Sequence, residues 1–173
     1  MPAETAQTAS IFLETARNSL IEQHWPHLRE CVCSLTEEQV WWRPNDSSNS
    51  IGNLLLHLNG NIGQWIVTAF NRTEDARNRP SEFSERGPTP VAGLLARLAS
   101  TVEEAGAIIS RLAEADLVAT YEIQGYEVTG LYAVFHCVEH FAMHYGQIAY
   151  ITKELQNRDL GFWRALDKTG RAK

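Results

Sequence analysis

The 173-residue chain is short of the features that mark several common protein classes. Its 15 lysines and arginines are outnumbered by 21 aspartates and glutamates, giving a formal charge of −6, and they form no basic block. A nucleic-acid phosphate footprint is therefore not expected. Cysteine is scarce: Cys31, Cys33 and Cys137 make an odd number and include no C-x-x-C pair. That argues against a disulfide framework or a thiolate zinc site and for free thiols in a reducing cytoplasm. The opening "MPAETAQTASIF" has neither the basic start nor the apolar run of a secretory signal. Repeats and low-complexity tracts are lacking too. Charge is missing from two long stretches: Ile51 to Phe70 has none, and Leu131 to Thr152 has only Glu139. The second is long enough to span a bilayer. Its three histidines and Gln147, and the absence of any companion span, mark it instead as the central helix of a soluble domain.

What is present suits one globular domain over residues 1–173, with a core from about 10 to 163. The hydrophobic fraction is 44% and the mean hydropathy −0.27, both ordinary for a soluble fold. Helical periodicity predicts four long helices. The first covers about Ser10 to Ser34, with a kink or break near Glu22–Trp25 because Pro26 lies inside it. "TEEQ", Thr36 to Gln39, fits the capping box of a short helix, and "WWRPNDSSNS" reads as a connector. Ser50 is a plausible cap for the second helix, to about Phe70. The charged, Pro/Gly-punctuated segment 71–88 reads as a loop. Thr89 and Pro90 read as N-cap and first residue of a third helix ending near Leu112. "YEIQGYEVT", Tyr121 to Thr129, alternates around Gly125 as a small extended excursion or hairpin. Thr129 caps the fourth helix, to about Gln156, and Phe162 and Trp163 dock the tail before it frays. The fold class predicted is all-α, a four-helix bundle with a long connection between helices 2 and 3.

"HCVEHFAMH" places His136, His140 and His144 four residues apart. Residues four apart on a helix are neighbours, with Cβ atoms about 5–6 Å apart, so two imidazoles can converge on one ion at about 2.0–2.1 Å. His136 and His144 are separated by about 12 Å of helix rise. Only one adjacent pair can therefore share an ion. The second helix supplies a third donor. Asn53, His57, Asn61 and Gln64 form a polar stripe beside the apolar stripe Leu54, Leu58 and Trp65. A polar stripe on a helix without charge suits a pocket lining better than a wet face. A lone histidine on an apolar helix is usually a hydrogen-bonded core residue; a pair plus His57 shifts the balance toward metal. Three neutral nitrogens leave a divalent ion with open coordination for water or substrate. Imidazole suits zinc, nickel, iron or copper. No glutamate base lies between His140 and His144, so this is not a zincin, and Glu139 points about 100° from His140.

"NLLLHLNGN" followed by "HFAMHYGQIAYITK", with "WWRP" upstream, resembles the DinB-like superfamily, also called DinB/YfiT-like metalloenzymes, over about Phe12 to Phe162. The resemblance implies a four-helix bundle, commonly a homodimer. It further implies a divalent metal held by one histidine of the second helix and two of the last. Carried onto this chain, the ligands are His57, His140 and His144. His136 becomes the spare, filling the core or supporting the site from behind the ligands. Gly146 matches the H-x-G-Q pattern, with close helix approach as the expected reason for a mid-helix glycine. Relatives of this kind include transferases using low-molecular-weight thiols such as bacillithiol and a mycothiol-dependent maleylpyruvate isomerase. A metal ion held by three histidines can lower a thiol's pKa and present it to an electrophile.

The expected function is thus a metal-dependent enzyme with a small-molecule substrate, a thiol-dependent S-transferase or a hydrolase. Zinc or nickel is the expected ion, with iron or manganese as the other candidates and a low-molecular-weight thiol as a candidate cofactor. Two competing readings stand beside it. One is a non-catalytic dimeric binding or stress-response protein with a structural or absent metal. The other is a metal-free site using His136 and Glu139 as an acid–base pair. Trp41, Trp42 and Arg43 are read as anchors of the connector rather than a pocket rim, and Cys137 as an inert core thiol.

Overall fold

The computed structural model describes residues 2–87 and 89–164. The first long span is helical from its start: α1 (Pro2–Asn18), a π-helical turn (Ser19–His24) and α2 (Trp25–Cys33) run on without a break. Pro26 has no N–H to give to the ladder. The chain meets that gap by widening the turn just before it, where the Trp25 N–H bonds to the Leu20 carbonyl, and Pro26 sits in the first turn of α2. The expected break is therefore a change of helix type. The Thr36 capping box forms as read, opening α3 (Glu37–Trp41).

Ser50 caps α4 (Ile51–Ile62) through a reciprocal box with Asn53. A second π-helical turn (Gly63–Thr68) and α5 (Ala69–Asn71) complete that span. The segment expected as plain loop holds a short helix, α6 (Arg79–Ser84), capped by Asn78. The third span, α7 (Val91–Arg111), departs at its start from the cap expected. Pro90 occupies the cap position without a side-chain bond. The first N–H, of Val91, is taken by the Glu37 carboxylate at 2.9 and 3.1 Å. A tertiary contact has replaced a local one.

After α8 (Glu114–Val118) the all-α expectation fails locally. β1 (Thr120–Ile123) and β2 (Tyr126–Thr129) form an antiparallel hairpin with Thr120 opposite Thr129 and Ile123 opposite Tyr126. Gln124 and Gly125, both at positive φ, make the two-residue turn that suits strand twist. The hairpin runs straight into α9 (Gly130–Gln156), capped by Thr129. The protein is mostly helical with this one small sheet among the described residues.

The α4 span packs against α7 and α9, and α9 against α1 and α2. Leu20, Leu28, Leu55, Leu58, Leu98, Ile109, Phe141 and Ile148 fill the space between them. Phe162 stacks on His27, with ring centroids 4.3 Å apart. Trp163 stays 60% exposed and meets His27 only edge-on. The fraying expected of the tail falls on residues 165–173, outside those described. Among the described residues no helix is long and apolar enough to cross a membrane.

Trp41 and Arg43 anchor the connector, whereas Trp42 is 38% exposed. The Trp41 indole donates to the Thr89 carbonyl at 3.1 Å, and Arg43 donates to Asn53 and to the Glu85 carbonyl. The Trp41 ring lies so close to α4 that a Cβ at Gly52 would sit 2.8 Å from it. A Cβ at Gly87 would likewise come within 2.9 Å of the ring, so Trp41 packs closely on both glycines. Gly52→Ala is thus expected to lose about 1–3 kcal/mol by overpacking, although alanine ordinarily gains about 1 kcal/mol over glycine in a helix. Urea unfolding checks this; a midpoint at or above wild type would remove Trp41 as the anchor.

Candidate metal centre

His57 is placed by how α4 begins and by what is tied beneath it. Asn53, in the capping box, also donates its amide to the Glu82 and Glu85 carbonyls at 2.8 and 3.0 Å. This fixes α6 against α4 and brings the Glu82 side chain under His57. The His57 Nδ1–H donates to Glu82 Oε2 at 2.8 Å. Glu82 is in turn gripped by Arg77, with Nε 2.7 Å from Oε1 and Nη2 2.8 Å from Oε2. Arg77 Nη2 also lies 3.1 Å from His57 Nδ1. With that nitrogen donating to the carboxylate, the guanidinium is its neighbour rather than its partner. The ion pair docks where α4 has no side chain: a Cβ at Gly60 would fall 2.1 Å from Glu82 Oε1.

His140 and His144 come from one face of α9. His140 Nε2 lies 2.9 Å from His57 Nε2 and 3.1 Å from His144 Nε2. The three donor atoms all lie within 4.8 Å of one another. The His144 Nδ1–H donates to Gln147 Oε1 at 2.7 Å. With Nδ1 of His57 and His144 committed to acceptors, their Nε2 lone pairs point into the gap. This is the usual support for a metal-ligating imidazole. With His140 Nε2 unprotonated as well, three nitrogens this close repel unless a cation lies between them. Around a tetrahedral ion at about 2.0–2.1 Å they would stand about 3.3 Å apart, so the observed pairs need to open only slightly. The residues fit a divalent ion.

The electrostatics keep these rings available as ligands. Burial, reinforced by His144, His57, His136 and Arg77, pushes His140 down to about 3. Burial also lowers His144, against the opposing bond to Gln147. At Glu82 burial alone would raise the carboxyl, but hydrogen bonds from Arg77 and His57 outweigh it and hold it below the usual value.

The structure sorts the other candidates. His136 is outside the cluster, its ring 5.2 Å from that of His140 and packed 4.0 Å from Trp65. It is partly buried and packs against Trp65 and Tyr132. Glu139 is exposed and shares no hydrogen bond with His136 among the described residues, although its charge acts on that ring. A Cβ at Gly146 would meet nothing within 4 Å, so the close approach expected of this glycine is not made among the described residues. Cys137 is fully buried and its thiol is pushed up to about 12 by burial. Asn61 Oδ1 and Trp65 Nε1, buried on the same side of the α4 span, have no hydrogen-bond partner among the described residues. Gln64 is buried and bonded to Arg77, Asp75 and Gln124. Sequence reading missed Arg77, Glu82 and Gln147. Only Gln147 carried a signal, one turn after His144; the other two lay within a run of charges resembling any solvated loop.

A profile of the DinB superfamily matches residues 20–148. The chain belongs to that superfamily. No curated protein matches it. Among solved structures, this DinB-superfamily chain is similar to a conserved protein from Enterococcus faecalis, with TM-score 0.65 and 17% identity over 88% of this chain and 98% of that one. A DinB-like protein from Bacillus subtilis gives 0.64 and 18%, over 84% and 95%. One from Bacillus cereus gives 0.62 and 14%, over 83% and 90%. At such identities the likeness shows the fold alone.

Two outcomes are expected. Glu82→Gln should weaken zinc binding by about 10–100-fold in a competition titration, while His140→Ala should remove it. Undiminished affinity in Glu82→Gln would remove Glu82 as the support of His57. In metal-free protein, unfolded chains take up a proton at His140 near the ordinary 6.5 that folded chains refuse until about 3. Stability should therefore fall as pH drops through that window. His140→Phe should flatten this slope in urea titrations.

Proposed function

We propose that this DinB-superfamily protein is a metal-dependent enzyme that transfers a low-molecular-weight thiol to a small electrophilic substrate. The observation that carries the reading is the meeting of three Nε2 atoms from α4 and α9, each within hydrogen-bonding reach of another. In this reading the four long helical spans form a four-helix bundle around the site. A divalent ion bound there would supply Lewis acidity, lowering the pKa of a coordinated thiol.

The protein's own groups favour a thiol over water as the nucleophile. A divalent ion would ionise bound water at about pH 7 as well as a thiol, but hydrolysis gains further from a positioned base. Glu82 is committed to Arg77 and His57, and Glu139 is exposed. A thiol, with an ordinary pKa of about 8.5, needs only modest help to ionise and can release its proton to solvent. His57 and His144 are nearly fully buried while His140 is less so, which leaves the His140 side as the approach for substrate. Glu82 and Arg77 hold His57 in its tautomer, and Gln147 does so for His144. The free cysteines, Cys31, Cys33 and Cys137, fit a reducing cytoplasmic setting.

The test uses protein purified without chelator and offered zinc, nickel or manganese, then mixed with cysteine and an aryl halide. A carbon–sulfur bond forms, the carbon–halogen bond breaks, halide leaves and the thiol proton goes to solvent. Thioether formation should require metal and vanish in His57→Ala, His140→Ala and His144→Ala. If metal binds and its removal only unfolds the protein, with no thiol-dependent turnover, the non-catalytic reading with a structural ion replaces this one.

A further inference from the structure

Two polar atoms beside the metal centre are buried with nothing to bond. Asn61 Oδ1 and Trp65 Nε1 are the only side-chain nitrogen or oxygen atoms among the described residues that are closed to solvent and lack a partner. The residues themselves are 2% and 4% exposed. An unsatisfied buried polar group is costly, and native folds seldom keep one without a reason. Here there are two, four and eight residues after His57 on the same helical span. Residues four apart are neighbours on a helix, so the orphan atoms extend the line that starts at the metal centre. Over Trp65 lies His136. Its ring packs 4.0 Å from Trp65 and stacks with Tyr132 at 6.0 Å, and it is only partly buried. His136 makes no hydrogen bond among the described residues, so moving its ring breaks none.

We propose that Asn61 and Trp65 form a subsite for an amide group of the ligand, uncovered when the His136 ring swings aside. This deepens the proposed function and rests on it, since an ion at the three histidines anchors the other end of the ligand. The pair offers one acceptor and one donor, and neither carries a charge. An amide matches both: its N–H donates to Asn61 Oδ1, and its carbonyl accepts from the Trp65 indole. An ester has no N–H and leaves Asn61 unpaired. A carboxylate sets oxygen against oxygen there, and the nearby Arg77 is already committed to Glu82 and Gln64. Four residues of helix rise about 6 Å, the reach of an ion-bound sulfur followed by two carbons. The amide therefore belongs about two carbons from the atom on the ion. The empty protein is less stable for keeping both groups unpaired, a trade that binding sites commonly make.

Three small thiols that differ in one group supply the test: β-mercaptopropionamide, methyl β-mercaptopropionate and β-mercaptopropionate. Titrated calorimetrically into the zinc-loaded protein, the amide should bind about tenfold or more tightly than the ester or the acid, because these leave a buried acceptor unpaired. Asn61→Leu should erase that preference. By removing an orphan atom it should also raise the urea midpoint of the ligand-free protein, whereas loss of a structural asparagine would lower it. Trp65→Phe should weaken amide binding, and it identifies the Trp65 indole N–H resonance, which in the wild type should shift when the amide is added. His136→Ala should keep the preference and tighten binding, with no ring to displace. Equal affinities for amide and ester, a preference that survives Asn61→Leu, a lower midpoint in that variant, an unmoved indole resonance, or weaker amide binding in His136→Ala would each overturn the subsite and leave the proposed function standing. Failure of all three thiols to bind would end both.

Discussion

The site rests on a buried carboxylate that a guanidinium and an imidazole N–H share. Glu82 is 7% exposed, and taking a carboxylate out of water costs several kcal/mol even after relaxation. Arg77 meets both of its oxygens, and His57 meets one of them. The ion pair is thereby held rigidly enough to fix the ring that must present Nε2 to α9. Removing either charge would leave the other stranded beneath α4. Breaking a buried pair in this way typically costs about 3–5 kcal/mol, so the pair ties the fold of segment 75–85 to the geometry of the centre.

The same economy runs along the whole α4 span. It carries no formal charge, yet Ser50, Asn53, His57, Asn61 and Gln64 are all buried. Most of these are satisfied by groups brought in from elsewhere: Asn53 by the Glu82 and Glu85 carbonyls, His57 by the Glu82 carboxylate, and Gln64 by Arg77, Asp75 and Gln124. The uncharged helix is therefore a scaffold on which the 75–85 segment and the hairpin turn converge. Asn61 Oδ1 and Trp65 Nε1 are the exceptions.

What could be read beforehand was governed by local rules. The caps at Thr36, Ser50 and Thr129 need only a side chain and a backbone N–H three residues on, and so were legible. That two neighbouring histidines of α9 could share an ion was legible from helical spacing, and His57 from a stripe without charge; the choice of His140 and His144 over His136 and His140 came from the family resemblance. Whatever depended on tertiary partners was not. Glu37 displaced Thr89 as the cap of α7 from 54 residues away. α6 carries a local start signal, Asn78 as cap with Pro80 in the first turn, but its seat on α4 depends on Asn53. Glu82 meets His57 across 25 residues, a separation that no periodicity encodes.

The wide turn at Gly63–Thr68 has a consequence for what the α4 span can touch. Gln64, Trp65 and Ile66 are all buried in it, as Ile51 to Leu55 are in the regular part of α4. The extra residue in the loop of each hydrogen bond resets the angular phase of everything beyond it. One continuous rod thus addresses two directions: its first half delivers His57 to α9, and its second, through α5, rests against strand β1.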